Sequence, residues 1–304
     1  MNDTIVITAS CADVASPDLL PAEGHSADAP FGNFSVFCLD HSGFETAPRA
    51  VRGRHTRVSY RLNKMIPRLL ERAGLTADAL AGPGCGMVSG SSYGCSQVYE
   101  MHRRLKKMGP RGVDAVRFAQ ATHNYPVSAC AIDYKIEGPC LSVLNAETAG
   151  LDALQCAQDW LRAGRCDRVL VAAYEDLAPP IGDHLADRAR SLPKQGFGEA
   201  MVLVLLEKAS VAQRRDDLPI LTHVAPVPPG GAGLSVTSHS PGSPGFTPRT
   251  LEYLGAGGLI ALHDLLNSPE AGQRGPQQWQ ISAAGQSGSG IVAGIGIGQM
   301  EDCL

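Results

Sequence analysis

The chain has 304 residues, of which 44% are hydrophobic and 18% are charged, and its formal net charge is -4 at pH 7. This composition is typical of a globular protein with a sizeable core, and its charge favours no general attraction to nucleic acid or to anionic membranes. The N-terminus lacks a basic segment followed by a long apolar run, and no window approaches about 20 apolar residues. We therefore expect a cytoplasmic protein without a membrane span.

Nine cysteines are scattered along the chain, and no two of them form a C-x-x-C pair. A dispersed, odd-numbered set of this kind indicates reduced thiols rather than a disulfide framework. Structural zinc sites need clustered cysteine and histidine ligands, which the sequence does not show. We predict no metal site and no dissociable cofactor.

Hydrophobic periodicity predicts strands that alternate with helices along the chain. The predicted strands are residues 4–9, 85–90, 140–144, 168–173, 200–206 and 291–297. The predicted helices are residues 59–73, 96–107, 148–163 and 254–266. Residues 11–56 are expected to be rich in loops, and residues 209–250, rich in Pro, Gly and Ser, to form a boundary or lid. The alternation predicts an α/β protein with a parallel or mixed sheet.

Residues 138–176 hold a Gly-Pro pair, a strand, a small turn, a helix, the sequence RAGR, a buried strand and an acidic residue. This order resembles the nucleophile region of β-ketoacyl synthases in the thiolase superfamily. In that family a strand delivers a cysteine to the N-terminus of a buried helix, where the helix dipole stabilises the thiolate.

Further segments resemble the same family in matching order, and together they cover most of residues 59–300. They are residues 71–94, Asn124 with Pro126, residues 196–207, residues 255–266 and the glycine-rich residues 282–290. The resemblance implies a thiolase-like fold with two related βαβ halves in a layered α/β/α/β/α arrangement. Residues 1–304 would form one unit, with an N-terminal half (1–180) and a shortened C-terminal half (181–304).

The departures from the family pattern bear on function. Counting from Gly138 and Pro139, the nucleophile position holds Glu147, which cannot carry a stable thioester. Of the two catalytic histidines of the family, the first has only His239 as a candidate, in a context that does not match. The second position holds Leu251 or Glu252. The family's histidines support decarboxylation and stabilise the enolate. We therefore predict no catalytic residue in this chain.

This pattern resembles the chain length factors of type II polyketide synthases. The resemblance implies a heterodimer with a catalytic ketosynthase, and acyl chains held on an acyl carrier protein in polyketide, possibly polyene, or fatty-acid-like synthesis. It also implies that bulky side chains before Asn124 limit the acyl tunnel, with Phe118 first and Met108 and Val116 behind it.

The partner-facing surface is implied by the same resemblance. The strand before the nucleophile would pair across the dimer axis, and an unpaired strand edge favours a partner on physical grounds. Its residues are Cys140, Leu141, Ser142, Val143 and Leu144. A basic group (Arg103, Arg104 and Lys107, with Lys106 and Arg111) would meet an acidic carrier protein, although a solvated helix end explains it as well.

Three alternatives stay open. The sequence GSSYG (90–94) matches the nucleophile elbow of α/β-hydrolases, with Ser92 as nucleophile and Asp183 and His263 as partners. A ketosynthase homologue that decarboxylates malonyl groups would use Glu147. A scaffold without a tunnel would only bind partners. Glu147 itself could be an ordinary carboxylate stabilised by a helix N-terminus.

Overall fold

The computed structural model describes residues 3–15, 35–113, 115–178, 181, 185, 196–213, 218–227, 233–238, 249, 251–268, 277–284 and 290–297. Its main strands are β1 (Ile5–Val14), β3 (Cys85–Ser91), β4 (Cys140–Leu144), β5 (Arg168–Glu175), β7 (Ala200–Lys208), β8 (Ile220–Val227), β9 (Gly233–Ser238), β10 (Gln277–Ala284) and β11 (Gly290–Ile297). Two short strands, β2 (Ser35–Phe37) and β6 (Gly196–Gly198), pair in parallel.

The described helices are α1 (Ser42–Glu45), α2 (Arg49–Arg54), α3 (Arg57–Ala73), α4 (Ser96–Met108), α5 (Ala115–Gln120), α6 (Tyr125–Asp133), α7 (Ala149–Arg162) and α8 (Gly257–Leu266). Helix α3 shows how local sequence sets these bounds. Thr56 and Ser59 form a capping box at its start, and Gly74 ends it with φ 71°. The helix continues through Pro67, which lies in its interior.

The nine main strands form one sheet in the order β4-β3-β5-β7-β1-β8-β11-β10-β9. The first five strands form one half, in which β4, β3 and β5 are parallel while β7 runs antiparallel to both β5 and β1. The last four strands pair antiparallel and form the second half. Strands β1 and β8 join the two halves of the described sheet, through the pairing of Val6 with Ile220 and a hydrogen bond from the N–H of Ile7 to the oxygen of Pro219.

Helices cover the sheet in layers. Helices α3 and α6 pack on one face of the first half, and α7 and α8 lie between the first half and the second. Val169, Val171 and Val204 of the strands pack with Leu154 of α7 and Leu259 of α8 in one buried cluster. The predicted α/β layering is confirmed, and the described residues supply four of the five expected layers, in the order α/β/α/β.

The sequence-based elements agree with the structure where the periodicity is strong: β4 matches at both ends, and no end is shifted by more than five residues. Several elements were not predicted. Residues 209–250, expected to be a boundary or lid, contain β8 and β9. Residues 11–56, expected to be rich in loops, contain in their described part the end of β1 and the short elements β2, α1 and α2. Strand β10 was not predicted: it has no continuous apolar run, and its alternation of buried and partly exposed residues was overlooked.

Candidate functional site

The turn between β4 and α7 places Glu147 at the start of a buried helix. Ala146 to Thr148 form one 3₁₀ turn, and α7 begins at Ala149. Ala146 has φ 45°, a left-handed conformation that costs a non-glycine residue about 1–3 kcal/mol. Both carboxylate oxygens of Glu147 are buried. The structure therefore holds this carboxylate inside the protein by a strained backbone.

Ser92, just after β3, connects this turn to the C-terminal half. Its hydroxyl donates a hydrogen bond to the backbone oxygen of Ala146 at 2.8 Å and accepts one from the backbone N–H of Gly255 at 2.9 Å. Gly255 lies in a 3₁₀ turn (Leu254–Ala256) that leads into α8, and Leu254 has φ 48°. Two strained non-glycine residues therefore meet around one serine side chain.

Glycines allow these segments to approach each other closely. A Cβ atom on Gly90 would lie 2.1 Å from the backbone oxygen of Ala149. A Cβ atom on Gly255 would lie 2.7 Å from the backbone oxygen of Ala146. Real Cβ atoms do not come so near to backbone, so only glycine fits at both positions. The start of α7 therefore packs directly against the ends of β3 and of the turn before α8.

Glu175, at the end of β5, lies below Ser92 and is fully buried. Its Oε1 accepts a hydrogen bond from the backbone N–H of Ser92 at 2.8 Å, while Oε2 has no hydrogen-bond partner in the described part of the chain. Burial raises the pKa of Glu175 to about 8, although hydrogen bonds from Ser92 and Gly255 oppose the shift. The carboxyl group is therefore mostly neutral at pH 7.

A second buried cluster lies beside Glu175 and holds the N-termini of α3 and α4. The guanidinium group of Arg57 forms ion pairs with Asp176 and Glu199, both 1% exposed. Glu199 also bonds His41 Nε2 at 2.9 Å, and Asp176 accepts the backbone N–H of Ser96 at 2.7 Å. Burial alone would raise the pKa of Glu199, but Arg57 and the bond to His41 outweigh it, so that its pKa lies below the ordinary value.

The predicted tunnel residues lie on the surface of this chain. Met108 at the end of α4 is 58% exposed, and Val116 and Phe118 on α5 are 54% and 63% exposed. Leu105 on α4 adds to the same apolar group at 45%. Side chains as exposed as these do not line a tunnel within this chain alone. Their role in a tunnel stays a prediction, and it would require a partner.

The predicted interface strand is the edge of the sheet. Strand β4 pairs only with β3 in the described sheet, and Leu141 and Leu144 are 43% and 41% exposed. Helix α6 contacts both β4 and α5, so the open edge and the exposed apolar group lie along one side of the molecule. Ile132 on α6 is 72% exposed.

The predicted carrier-protein residues differ in their availability. Both Arg103 and Arg104 bond the carboxylate of Glu100 within α4, at 2.8 Å from their Nε atoms. Lys107 is exposed at the end of the same helix. The helix end is therefore less basic than the sequence suggests, and a role in carrier-protein binding stays a prediction.

The hydrolase alternative is wrong at its key residue. The Ser92 hydroxyl donates to a backbone oxygen, whereas His263 Nδ1 bonds Ser10 at 2.9 Å. Asp183 lies outside the described residues, as does His239. Glu252 is described, and its side chain accepts the backbone N–H of Leu254 at 2.8 Å.

Sequence reasoning missed Glu175, Arg57 and Glu199. A carboxylate directly after a buried strand, as in residues 168–176, was a visible signal for Glu175. Arg57 and Glu199 gave no such signal, because 142 residues separate them in sequence. Only the fold brings them together.

A model of a known protein family matches the part of the chain that contains the turn around Glu147. The profile "Beta-ketoacyl synthase, N-terminal domain" matches residues 13–212, which is more than half of the chain. The chain belongs to the β-ketoacyl synthase family. The match includes the strand, turn and helix around Glu147 and ends just beyond β7.

Two curated relatives are polyketide synthase proteins of Streptomyces. The chain is 32% identical over 167 residues to the spectinabilin polyketide synthase system protein NorC of Streptomyces orinoci. It is 30% identical over 157 residues to the polyketide synthase GfsB of Streptomyces halstedii. These alignments cover 51% and 47% of this ketosynthase-family chain but only 7% and 3% of the relatives. The chain thus spans a small part of the curated relatives that it matches.

Solved structures share the fold at low identity. The ishigamide ketosynthase/chain length factor has a TM-score of 0.64 and 19% identity, with 97% of this chain and 100% of that chain covered. The oxazolomycin ketosynthase domain OzmH KS7 of Streptomyces albus JA3453 has a TM-score of 0.66 and 14% identity, with 99% and 77% covered. The ketosynthase complex AntDE:AntF has a TM-score of 0.58 and 18% identity, with 75% of this chain and 70% of that chain covered. These values confirm the thiolase-like fold.

Within the described part of this ketosynthase-family chain, no helix combines the length and apolar character that a membrane crossing requires. The same described residues contain no group of three or more His, Cys, Asp or Glu side chains placed to hold a metal ion.

Proposed function

We propose that the chain is a non-catalytic subunit, similar to a chain length factor, that pairs with an active ketosynthase. Together the two would shape the tunnel in which an acyl chain grows on a carrier protein by decarboxylative Claisen condensation. Three comparisons are consistent with the proposal. The relatives are polyketide synthases, one solved neighbour is a ketosynthase/chain length factor, and another contains an acyl-carrier protein with its ketosynthase.

The observation that carries the proposal is Glu147 at the start of α7. The strand, the strained turn and the helix are present. In the register counted from Gly138 and Pro139, the nucleophile position of the family would hold the carboxylate of Glu147. No cysteine lies between Cys140 and Cys156 in the sequence. Cys140 is at the far end of β4, and Cys156 lies two turns into α7. A carboxylate forms no stable thioester, so chain loading here is not expected.

The segment before α8, where the resemblance implies one of the family's catalytic histidines, is consistent with the same proposal. The segment before α8 presents Glu252, and the described histidine in α8, His263, bonds Ser10 of β1 rather than the turn. A decarboxylase would need groups that stabilise an enolate next to Glu147. The contacts around this turn join it to Ser92 and Gly255, and none of them favours that alternative.

Co-expression tests the proposal directly. We expect the chain to form a one-to-one complex with the ketosynthase encoded beside it, and we expect that complex to condense malonyl units bound to carrier protein. Activity should disappear when the partner's nucleophilic cysteine becomes alanine, and neither chain should condense alone. Condensation by this chain alone, or the absence of any complex, would contradict the proposal.

The open edge of β4 gives the first prediction. Leu141→Asp should weaken the complex by about 30-fold or more, because a buried apolar contact near the centre of an interface contributes about 2 kcal/mol or more. The dissociation constant can be measured by titration with the labelled partner. Val211→Asp is the matched control, since Val211 is 37% exposed in the turn after β7. An equal loss of affinity in both variants would show that β4 does not lie in the interface.

The exposed aromatic side chain of α5 gives the second prediction. Phe118→Ala should lengthen the products by one or more two-carbon units, because a smaller side chain would leave more of the shared tunnel open. Mass spectrometry of the carrier-bound products measures this. Ile132→Ala removes a side chain that is even more exposed, at 72%, and should leave the product length unchanged. Unchanged products from both variants would place the end of the tunnel elsewhere.

A further inference from the structure

Ser92 connects the N-terminal half of the chain (residues 1–180) with the C-terminal half (residues 181–304). Its hydroxyl donates to the backbone oxygen of Ala146 and accepts from the backbone N–H of Gly255. Ala146 belongs to the turn in the N-terminal half, and Gly255 to the segment before α8. A hydroxyl group has one proton and two lone pairs, so these two bonds commit its proton and one acceptor site.

The bond to Ala146 fixes the direction of the next residue. The oxygen of Ala146 and the N–H of Glu147 belong to one planar peptide unit and point in opposite directions. Holding that oxygen toward Ser92 therefore turns the N–H of Glu147 away from Ser92. The orientation of this peptide plane also helps to set the direction of the Cα–Cβ bond of Glu147.

The backbone around the Ser92 hydroxyl is in an unfavourable conformation that the hydrogen bond to Ala146 helps to maintain. Ala146 and Leu254 both have φ in the left-handed region, at 45° and 48°. A left-handed φ is unfavourable for a residue that carries a Cβ atom, so contacts around the turn must hold Ala146 in this conformation. The hydrogen bond from the Ser92 hydroxyl is one of these contacts, and its removal would favour rotation of the Ala146 peptide toward an ordinary conformation.

Glu175 holds Ser92 in turn. Its Oε1 accepts the backbone N–H of Ser92 at 2.8 Å, and a Cβ atom on Gly255 would approach that oxygen to 3.0 Å. Glu175 is fully buried, so its carboxyl group is held in place by the surrounding core. The arrangement runs from the end of β5, through Ser92, to the turn that carries position 147.

We propose that Ser92 is a positioning residue for position 147, held by Glu175, and that its hydroxyl sets the direction in which the side chain at position 147 points. The inference deepens the proposed function and rests on it only in treating position 147 as the former nucleophile site. It does not depend on a ketosynthase partner.

A thiol introduced by Glu147→Cys reports on this geometry. At the start of α7 the helix dipole lowers the pKa of that thiol, whereas burial at this position opposes the shift, so its rate of alkylation by iodoacetamide depends on the direction in which the side chain points. Peptide mass mapping separates its rate from those of the native cysteines. The measurement is made on the chain as purified, alone or with its partner.

Removing the Ser92 hydroxyl in this background should slow alkylation at position 147 by about tenfold at pH 7 and move its pH midpoint upward. Ser92→Thr and Ser92→Val have the same shape, but only threonine keeps a hydroxyl group. We therefore expect slower alkylation in Ser92→Val and Ser92→Ala and an unchanged rate in Ser92→Thr. Ser89→Ala is the control, since Ser89 bonds Ser142 of β4 and not the turn.

Equal rates in the threonine and valine variants would overturn the proposal, as would an equal change in Ser89→Ala. Failure of the proposed function is a separate result, because it would appear as a lack of complex formation with the ketosynthase while these alkylation rates keep their order.

Discussion

Arg57→Met should lower the free energy of unfolding by about 3–5 kcal/mol at pH 7, because it leaves Asp176 and Glu199 buried without their common counter-ion. Both carboxylates are 1% exposed. Urea denaturation measures the change. Since the pKa of Glu199 is depressed in the folded chain, the stability that its ion pair contributes is present above the unfolded pKa. It is lost as the pH falls through the lower, folded pKa, so the difference between wild type and variant should narrow in acid.

Arg68→Met is the matched control on the same helix. Arg68 pairs with Asp13 at 2.9 Å, but its side chain is 48% exposed, and solvent screens such a pair. We expect a loss below about 1 kcal/mol. If Arg57→Met cost no more than Arg68→Met, the buried cluster would not stabilise the fold.

The second large effect is expected from Glu175→Gln, which should remove a strong pH dependence of stability. The carboxyl group has an ordinary pKa of 4.5 and a folded pKa of about 8. Between these values the folded chain binds one more proton than the unfolded chain. Stability therefore falls with rising pH, by about 1.4 kcal/mol per pH unit from this group, and the decline ends near pH 8.

Glutamine stays neutral at every pH and keeps an oxygen for the N–H of Ser92. The variant should therefore be more stable than the wild type at pH 8, with an advantage that shrinks toward pH 5. Urea titrations at pH 5, 6, 7 and 8 measure this. Glu100→Gln serves as control, because the pKa of Glu100 is lowered by Arg103 and the group is ionised throughout this range in both states. Parallel pH profiles for wild type and Glu175→Gln would refute the expectation.

The parts of the fold that could be predicted from sequence are those with a strong local pattern. Helices α3 and α7 have clear apolar periodicity, and β4 follows a Gly-Pro pair. Strands β8 and β10 were missed for different reasons. Pro226 lies within β8 and interrupts its apolar pattern. Strand β10 has no continuous apolar run, and the short alternation of Trp279, Ile281 and Ala283 with polar residues was overlooked.

The site was predictable only in part. The order of motifs located Glu147, because the strand, turn and helix around it are contiguous in sequence. Glu175, Ser92 and Gly255 meet through the tertiary fold, and Arg57 meets Glu199 in the same way. No local pattern encodes such meetings. The exposure of Phe118 was also hidden, since an aromatic residue in a short helix is more often buried.

The position of β1 in the sheet affects how the chain can fold during synthesis. It is synthesised before the other strands of this sheet, yet it lies between β7 and β8, and Ile5 pairs with Lys208. Closing a loop of about two hundred residues carries a substantial entropic cost, and such distant pairing slows folding. Strand β1 must therefore remain without its native partners until β7 has been made. During that interval it is open to chaperones and to aggregation.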